Sequence, residues 1–292
     1  MNELIETKLQ EIEAHFNVRI LLAVESGSRA WGFASPDSDY DVRFVYARNP
    51  IDYLRLTKVP DVIDTNYVYT LDEEAQRQAY PNTLSTSTFN KWSDPLDFSG
   101  WDLQKFLVNA KDCGASSYEW VHSPIVYRTD ARFHNELIGV MHTHYRPRKA
   151  FFHYLNLGLK ALQQARARGT VKQALYAFRS LLAAHFIYQF RRPAPVPLQD
   201  LVDTFKLYSS NEYRWVGKMY ATLLEQKTSE KVRVDLVASH WEALDNLWVT
   251  GKEFGDASGA WCAEESPDIH SDNSSLLAYS RVLQRRYLQW PK

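Results

Sequence analysis

The chain has 292 residues, with 35 acidic against 34 basic side chains, a formal net charge of -1 and 45% apolar content. Such a chain can bury a sizeable core, so intrinsic disorder is excluded as its general state. Two cysteines, Cys113 and Cys262, are too few for a disulfide framework; no run reaches the ~18 apolar residues of a membrane span, and the acidic, amphipathic opening lacks the apolar stretch of a secretory signal, so a cytoplasmic protein with no membrane partner is expected.

Leu4, Leu9, Ile12 and Phe16 recur among charged residues and predict a helix over residues 2–15. Ile20–Val24 reads as a buried strand, a Gly27-Ser28 turn follows, and Val42–Ala47 reads as a second strand. Pro50–Leu56 is expected to make a helical turn or two and Val62–Thr70 a third strand. The Ser-, Thr-, Asn- and Pro-rich stretch from Tyr80 to Gly100 reads as a loop closing on the alternation Leu96-Asp97-Phe98. Ser99-x-x-Asp102 then has the form of a capping box opening a helix, and Pro124–Tyr127 looks like a short strand. Beyond Asp130 the patterns are helical, over roughly 131–144, 148–168, 171–190, 211–228, 231–249 and 275–290, with RRPAPVP linking two of them and an acidic linker over Gly255–Ser275. The expected fold class is α+β: a mixed-sheet domain over residues 1–145, then an α-helical bundle domain over 146–292.

Between Leu137 and Gln199 there is no Asp or Glu, yet there are ten Lys or Arg. A block of one sign in an otherwise acidic chain points to an anionic partner, a nucleotide or a nucleic-acid backbone, or else to a solvated helix surface.

The densest chemistry lies in VESGSRAWGFASPDSDYDVRFVY, Val24 to Tyr46. A glycine leaving a strand lets backbone approach a ligand closely, and a serine adds N–H and hydroxyl donors suited to phosphate oxygens. Asp39 and Asp41, two residues apart, would project from one face of a strand, roughly 7 Å apart, as oxygen ligands for a hard divalent cation. An EF-hand reading of Asp37-Ser38-Asp39-Tyr40-Asp41 fails because Val42 stands at the sixth position and Arg48 at the twelfth. A polar hairpin edge is the other alternative.

Gly27-Ser28, a spacer and Asp39-Tyr40-Asp41-Val42 resemble the signature of the DNA polymerase beta-like nucleotidyltransferase superfamily. The longer GSRAWGFASPDSDYDVRF, with SGWDLQKF and HSPIVYR downstream, resembles the RNA repair pathway DNA polymerase beta family, over residues 20 to about 195. The resemblance implies transfer of a nucleoside monophosphate from a nucleoside triphosphate to an acceptor hydroxyl. Asp39 and Asp41 would hold Mg²⁺ or Mn²⁺, and Gly27 and Ser28 would grip the β- and γ-phosphates. It also implies a third carboxylate at the acceptor: Asp97 is chosen, with Asp61 and Asp64 as alternatives and Asp102 read as part of the capping box. Arg29 is read as a phosphate ligand and Arg43 as neutralising the carboxylates. Lys172, Tyr176 and Arg179, on one helical face, would bind phosphate and stack on a base, unless that face is merely solvated. The histidines form no zinc pattern; His122 is either beside the cleft or simply packed. An RNA end, such as that of tRNA, is the acceptor the resemblance implies. A drug hydroxyl, a protein side chain, or a nucleotide- or RNA-binding module without catalysis are the other readings.

Overall fold

The computed structural model describes residues 1–36, 38–57, 59–64, 96–208, 213–229, 233–257 and 261. The opening amphipathic segment forms helix α1 (Asn2–Phe16), which Asn17 ends in the left-handed conformation at φ 50°. Strand β1 (Val18–Glu25) runs into a four-residue helix α2 (Gly27–Ala30), and β2 (Tyr40–Arg48) returns antiparallel to β1. A 3₁₀ turn (Pro50–Leu54), β3 (Val62–Asp64) and β4 (Leu96–Asp102) follow, and after helices α3 (Leu103–Lys111) and α4 (Ala115–Val121) comes β5 (Val126–Thr129). The five strands lie in the order β3-β4-β2-β1-β5, every pair antiparallel except β2 with β4. That parallel pair sets Asp41 directly opposite Asp97.

Seven of the eight residues of β1 are buried, because the sheet is covered on both faces. Ile5, Leu9 and Ile12 of α1 close one face over Ile20, Ala23, Phe44 and Phe98. Arg128 of β5 fastens α1 from the side, donating to Glu6 and Glu13. The other face, carrying Leu22, Val24 and Val45, continues into helices α5 (Ala131–Thr143), α6 (Pro147–Arg168), α7 (Val171–Phe190), α8 (Leu198–Tyr208), α9 (Arg214–Thr228) and α10 (Ala238–Asp256). One apolar cluster therefore runs across residue 145, from Leu21 to Leu247. Helix α7 is its axis: it is apolar nearly all round and buried along most of its length, as a central helix must be.

Three expectations need correction. Ser99 and Gly100 lie inside β4, so there is no Ser99–Asp102 capping box; Asp102 is itself the cap of α3, accepting from the Gln104 N–H at 2.8 Å. The alternation at 96–98 simply continues to 102. Helix α8 went unread because it follows directly on the Pro-rich RRPAPVP, although Leu198, Leu201, Val202 and Phe205 repeat at helical spacing and are buried. Helix α10 starts and ends seven residues later than the 231–249 expectation. Its two glycines are packing positions rather than stops: a Cβ at Gly251 would sit 2.7 Å from Leu155 Cδ1, and one at Gly255 2.6 Å from Phe152 Cε1. The helix expected at 275–290, residues 65–70 of the expected third strand, the loop expected from Tyr80 as far as residue 95, and the 258–275 segment except Trp261 lie outside the described residues.

Candidate active site

The turn after β1 is shaped around Asp41. Ser26 N–H donates to the Asp41 carbonyl at 2.9 Å, and Gly27 follows at φ +60°. A Cβ at Gly27 would lie 2.0 Å from Asp41 Oδ2, so a side chain there is barred by contact as well as by backbone conformation. Gly27→Ala is therefore expected to cost about 1–3 kcal/mol in denaturant unfolding and to move the Asp41 carboxylate. A variant as stable and as active as the parent would contradict this reading of the turn.

Asp41 is fixed from behind by a residue that the sequence reading passed over. Glu25, fully buried at the end of β1, accepts the Asp41 N–H at 2.8 Å and the Tyr127 hydroxyl. Burial pushes the Glu25 carboxyl above the ordinary range, against these hydrogen bonds. An acid closing the apolar run Ile20–Val24, with only Ser26 between it and Gly27-Ser28, was the available signal.

Asp97 lies on β4 beside Asp41. One guanidinium nitrogen of Arg43, Nη2, donates to Asp41 Oδ1 at 3.0 Å and to Asp97 Oδ2 at 2.8 Å. Asp39 precedes β2 by one residue rather than sitting on the strand, and lines the same cleft as Asp41. Burial raises the Asp41 carboxyl; Asp97 and Asp39 push in the same direction, while Arg43 and Lys172 oppose them. Of the alternatives, Asp61 pairs with Lys105 at 3.2 Å and Asp64 lies on the edge strand opposite Ser99.

Across the cleft stand the end of α6 and the start of α7. The space between is about 570 Å³, bounded by Ser28, Asp39 and Asp41 on one side and by Arg168, Lys172 and Tyr176 on the other. Lys227 of α9 reaches in to Ser35 Oγ at 3.1 Å, a third cation that no local pattern announces. Burial first, and then the Asp41 charge, raise the Tyr176 hydroxyl to about 12.

Two predicted phosphate ligands are placed otherwise. Arg29 turns back to hold the loop before β2, donating to the Ser38 and Asp39 carbonyls at 2.6 and 3.1 Å and lying over the Tyr40 ring. Arg179 does not line this cleft. It is 2% exposed, donates to Glu119 at 2.9 Å and to the Val196 carbonyl at 3.1 Å, and covers the Trp31 ring. His122 is not at the cleft either; its Nδ1 lies 2.8 Å from the Tyr118 carbonyl and its Nε2 3.0 Å from His142 Nε2.

Among the described residues no three His, Cys, Asp or Glu side chains are grouped tightly enough to hold a metal ion. The donor chemistry at Asp41 and Asp97 nevertheless fits a hard divalent cation, since both carboxylates already converge on one positive charge and Asp39 borders the same space. A glycine turn is thus pressed against one aspartate, a second aspartate lies beside it in parallel register, and cations stand across the cleft from the first. The chain belongs to the RNA repair pathway DNA polymerase beta family, whose sequence pattern matches residues 1–75 and 87–245. It is also similar to a Bacillus subtilis (strain 168) protein named uncharacterized protein YcgL, 30% identical over 284 residues that cover 95% of each chain.

Proposed function

We propose that the protein is a metal-dependent nucleotidyltransferase that moves a nucleoside monophosphate from a nucleoside triphosphate to a hydroxyl at an RNA end. The observation that carries this reading is the Asp41–Asp97 pair, which meets at one cation beside the Gly27 turn, with Asp41 lining the same cleft as Lys172 and Lys227.

Asp39, Asp41 and Asp97 would hold Mg²⁺ or Mn²⁺, which when bound neutralises charge on the phosphate oxygens. The Ser28 donors, Lys172, Lys227 and Arg168 bind the triphosphate and orient it. The acceptor hydroxyl attacks the α-phosphorus, forming an O–P bond while the α,β-bridging P–O bond breaks. The electron pair of that bond leaves with pyrophosphate, and the hydroxyl proton passes to the Asp97 carboxylate.

An anionic acceptor is favoured because the acid-free block supplies the cleft's far wall, Arg168 and Lys172 both coming from it. Lys172→Ala and Lys227→Ala should each weaken binding of a non-hydrolysable triphosphate by about 1.5–3 kcal/mol in calorimetry, the range of a charge-assisted hydrogen bond. Unchanged affinity in both would remove the α7–α9 wall from the nucleotide site. The function is tested by incubating the protein and Mg²⁺ with each α-labelled triphosphate and separate pools of tRNA, protein and small polyols. Label in the RNA pool is expected; label confined to protein or polyol would replace the acceptor, and label in none would remove the transferase reading.

A further inference from the structure

A second cavity, of about 290 Å³, lies behind Tyr176. Tyr176 borders both this space and the carboxylate cleft, so one side chain separates them. Trp31, at the far end of the turn from Gly27, forms one wall, and Lys160 and Gln164 of α6 with Arg179 and Ser180 of α7 form the others.

Its polar lining includes Lys160, Gln164 and Ser180, none of which makes a side-chain hydrogen bond or ion pair among the described residues. Glu119, the one acid there, is saturated: Oε2 accepts from Trp31 Nε1 at 2.9 Å, and Oε1 accepts from the Tyr154 hydroxyl at 2.8 Å and from Arg179 Nη1 at 2.9 Å. Arg179 neutralises that carboxylate and keeps a further donor, Nη2, which is buried and has no partner among the described residues. A buried guanidinium nitrogen without an acceptor is costly unless something supplies one.

The position of the cavity says which anion. Asp97, on β4, flanks Asp41 on one side; the Gly27 turn leaves β1 on the other, and Trp31 lies beyond that turn. The acceptor would come from the Asp97 side and the leaving group would depart away from it; Tyr176, which borders both spaces, puts this cavity next to the cleft that the leaving group quits. We propose that this second cavity receives the pyrophosphate released by transfer, a phosphate-anion subsite partitioned from the triphosphate cleft by Tyr176. The inference rests on the nucleotidyl-transfer reading above and adds an exit for its second product.

The test is calorimetric titration of the full-length protein, in Mg²⁺, with pyrophosphate, with orthophosphate, and with a non-hydrolysable triphosphate. The variants are Lys160→Ala and Gln164→Ala, both on an accessible face of α6, alongside Lys172→Ala in the cleft. Pyrophosphate should bind the parent, bind each α6 variant about tenfold or more weakly, and bind more tightly than orthophosphate, while triphosphate affinity in the α6 variants stays unchanged. Pyrophosphate affinity that survives both α6 changes and falls only in Lys172→Ala overturns the subsite but leaves the nucleotide site standing. Orthophosphate bound as tightly as pyrophosphate overturns the leaving-group assignment. No binding of either triphosphate or pyrophosphate by the parent overturns both readings together.

Discussion

Asp41→Ala and Asp97→Asn should each reduce nucleotidyl transfer by roughly 10³-fold or more, to the limit of detection, while the protein stays folded. Asp41 is held half-buried beside two other carboxylates, so removing its charge takes away repulsion as well as the Arg43 contact. Unfolding free energy is accordingly expected to change little or to rise. The two variants should differ in binding: Asp97→Asn keeps triphosphate affinity, because Asp97 is assigned to the acceptor hydroxyl, whereas Asp41→Ala loses it. Steady-state rates with parallel calorimetry check both statements. Appreciable turnover in Asp41→Ala would end the carboxylate mechanism, and loss of triphosphate binding in Asp97→Asn would move that residue to the nucleotide side.

The largest stability effect is expected at Glu119. Its carboxylate ties Trp31, which follows the glycine turn, to Tyr154 of α6 and Arg179 of α7, so one buried side chain joins the turn to the helices that face it. Glu119→Ala would leave the Arg179 guanidinium charged, 3% exposed and without its counter-ion. Breaking a buried pair from one side typically costs about 3–5 kcal/mol, far more than the pair is worth intact. Urea unfolding should show a loss of that order, with a smaller loss for Glu119→Gln, whose amide oxygen can still accept up to two of the three hydrogen bonds. A change within about 0.5 kcal/mol would mean that the network does not join these elements.

How much of this was legible beforehand depends on the range of the interactions. Gly27-Ser28 and Asp41 stand out because a turn and the strand after it are local, and Asp97 because its neighbours Leu96 and Phe98 alternate with it. That Asp97 meets Asp41 follows from a parallel pairing across a long connection, which no local pattern contains. Glu25 and Lys227 were missed for the same reason: one matters through the Asp41 amide, the other by reaching Ser35 from a distant helix. Arg179 shows a different limit. It does share a helical face with Lys172 and Tyr176, but at 1.5 Å rise per residue that face runs on past the cleft, and beyond Tyr176 it meets Trp31 and Glu119 instead. Periodicity identifies a face and cannot say where along it the neighbour changes. The same limit appears in the fold beyond residue 249, where the expected helix runs on through Gly251 and Gly255, places where another helix comes close.

In the proposed mechanism the Asp41–Asp97 pair, now bridged by Arg43, seats a divalent cation beside the bound triphosphate. A crystal structure with Mn²⁺ and a non-hydrolysable triphosphate, read by anomalous scattering at the manganese edge, tests it most directly. An anomalous peak coordinated by Asp41 and Asp97 oxygens is expected, with Arg43 drawn away from that position and the terminal phosphates against Gly27 and Ser28. Manganese bound elsewhere, with the Arg43 bridge intact while the triphosphate is present, would contradict it.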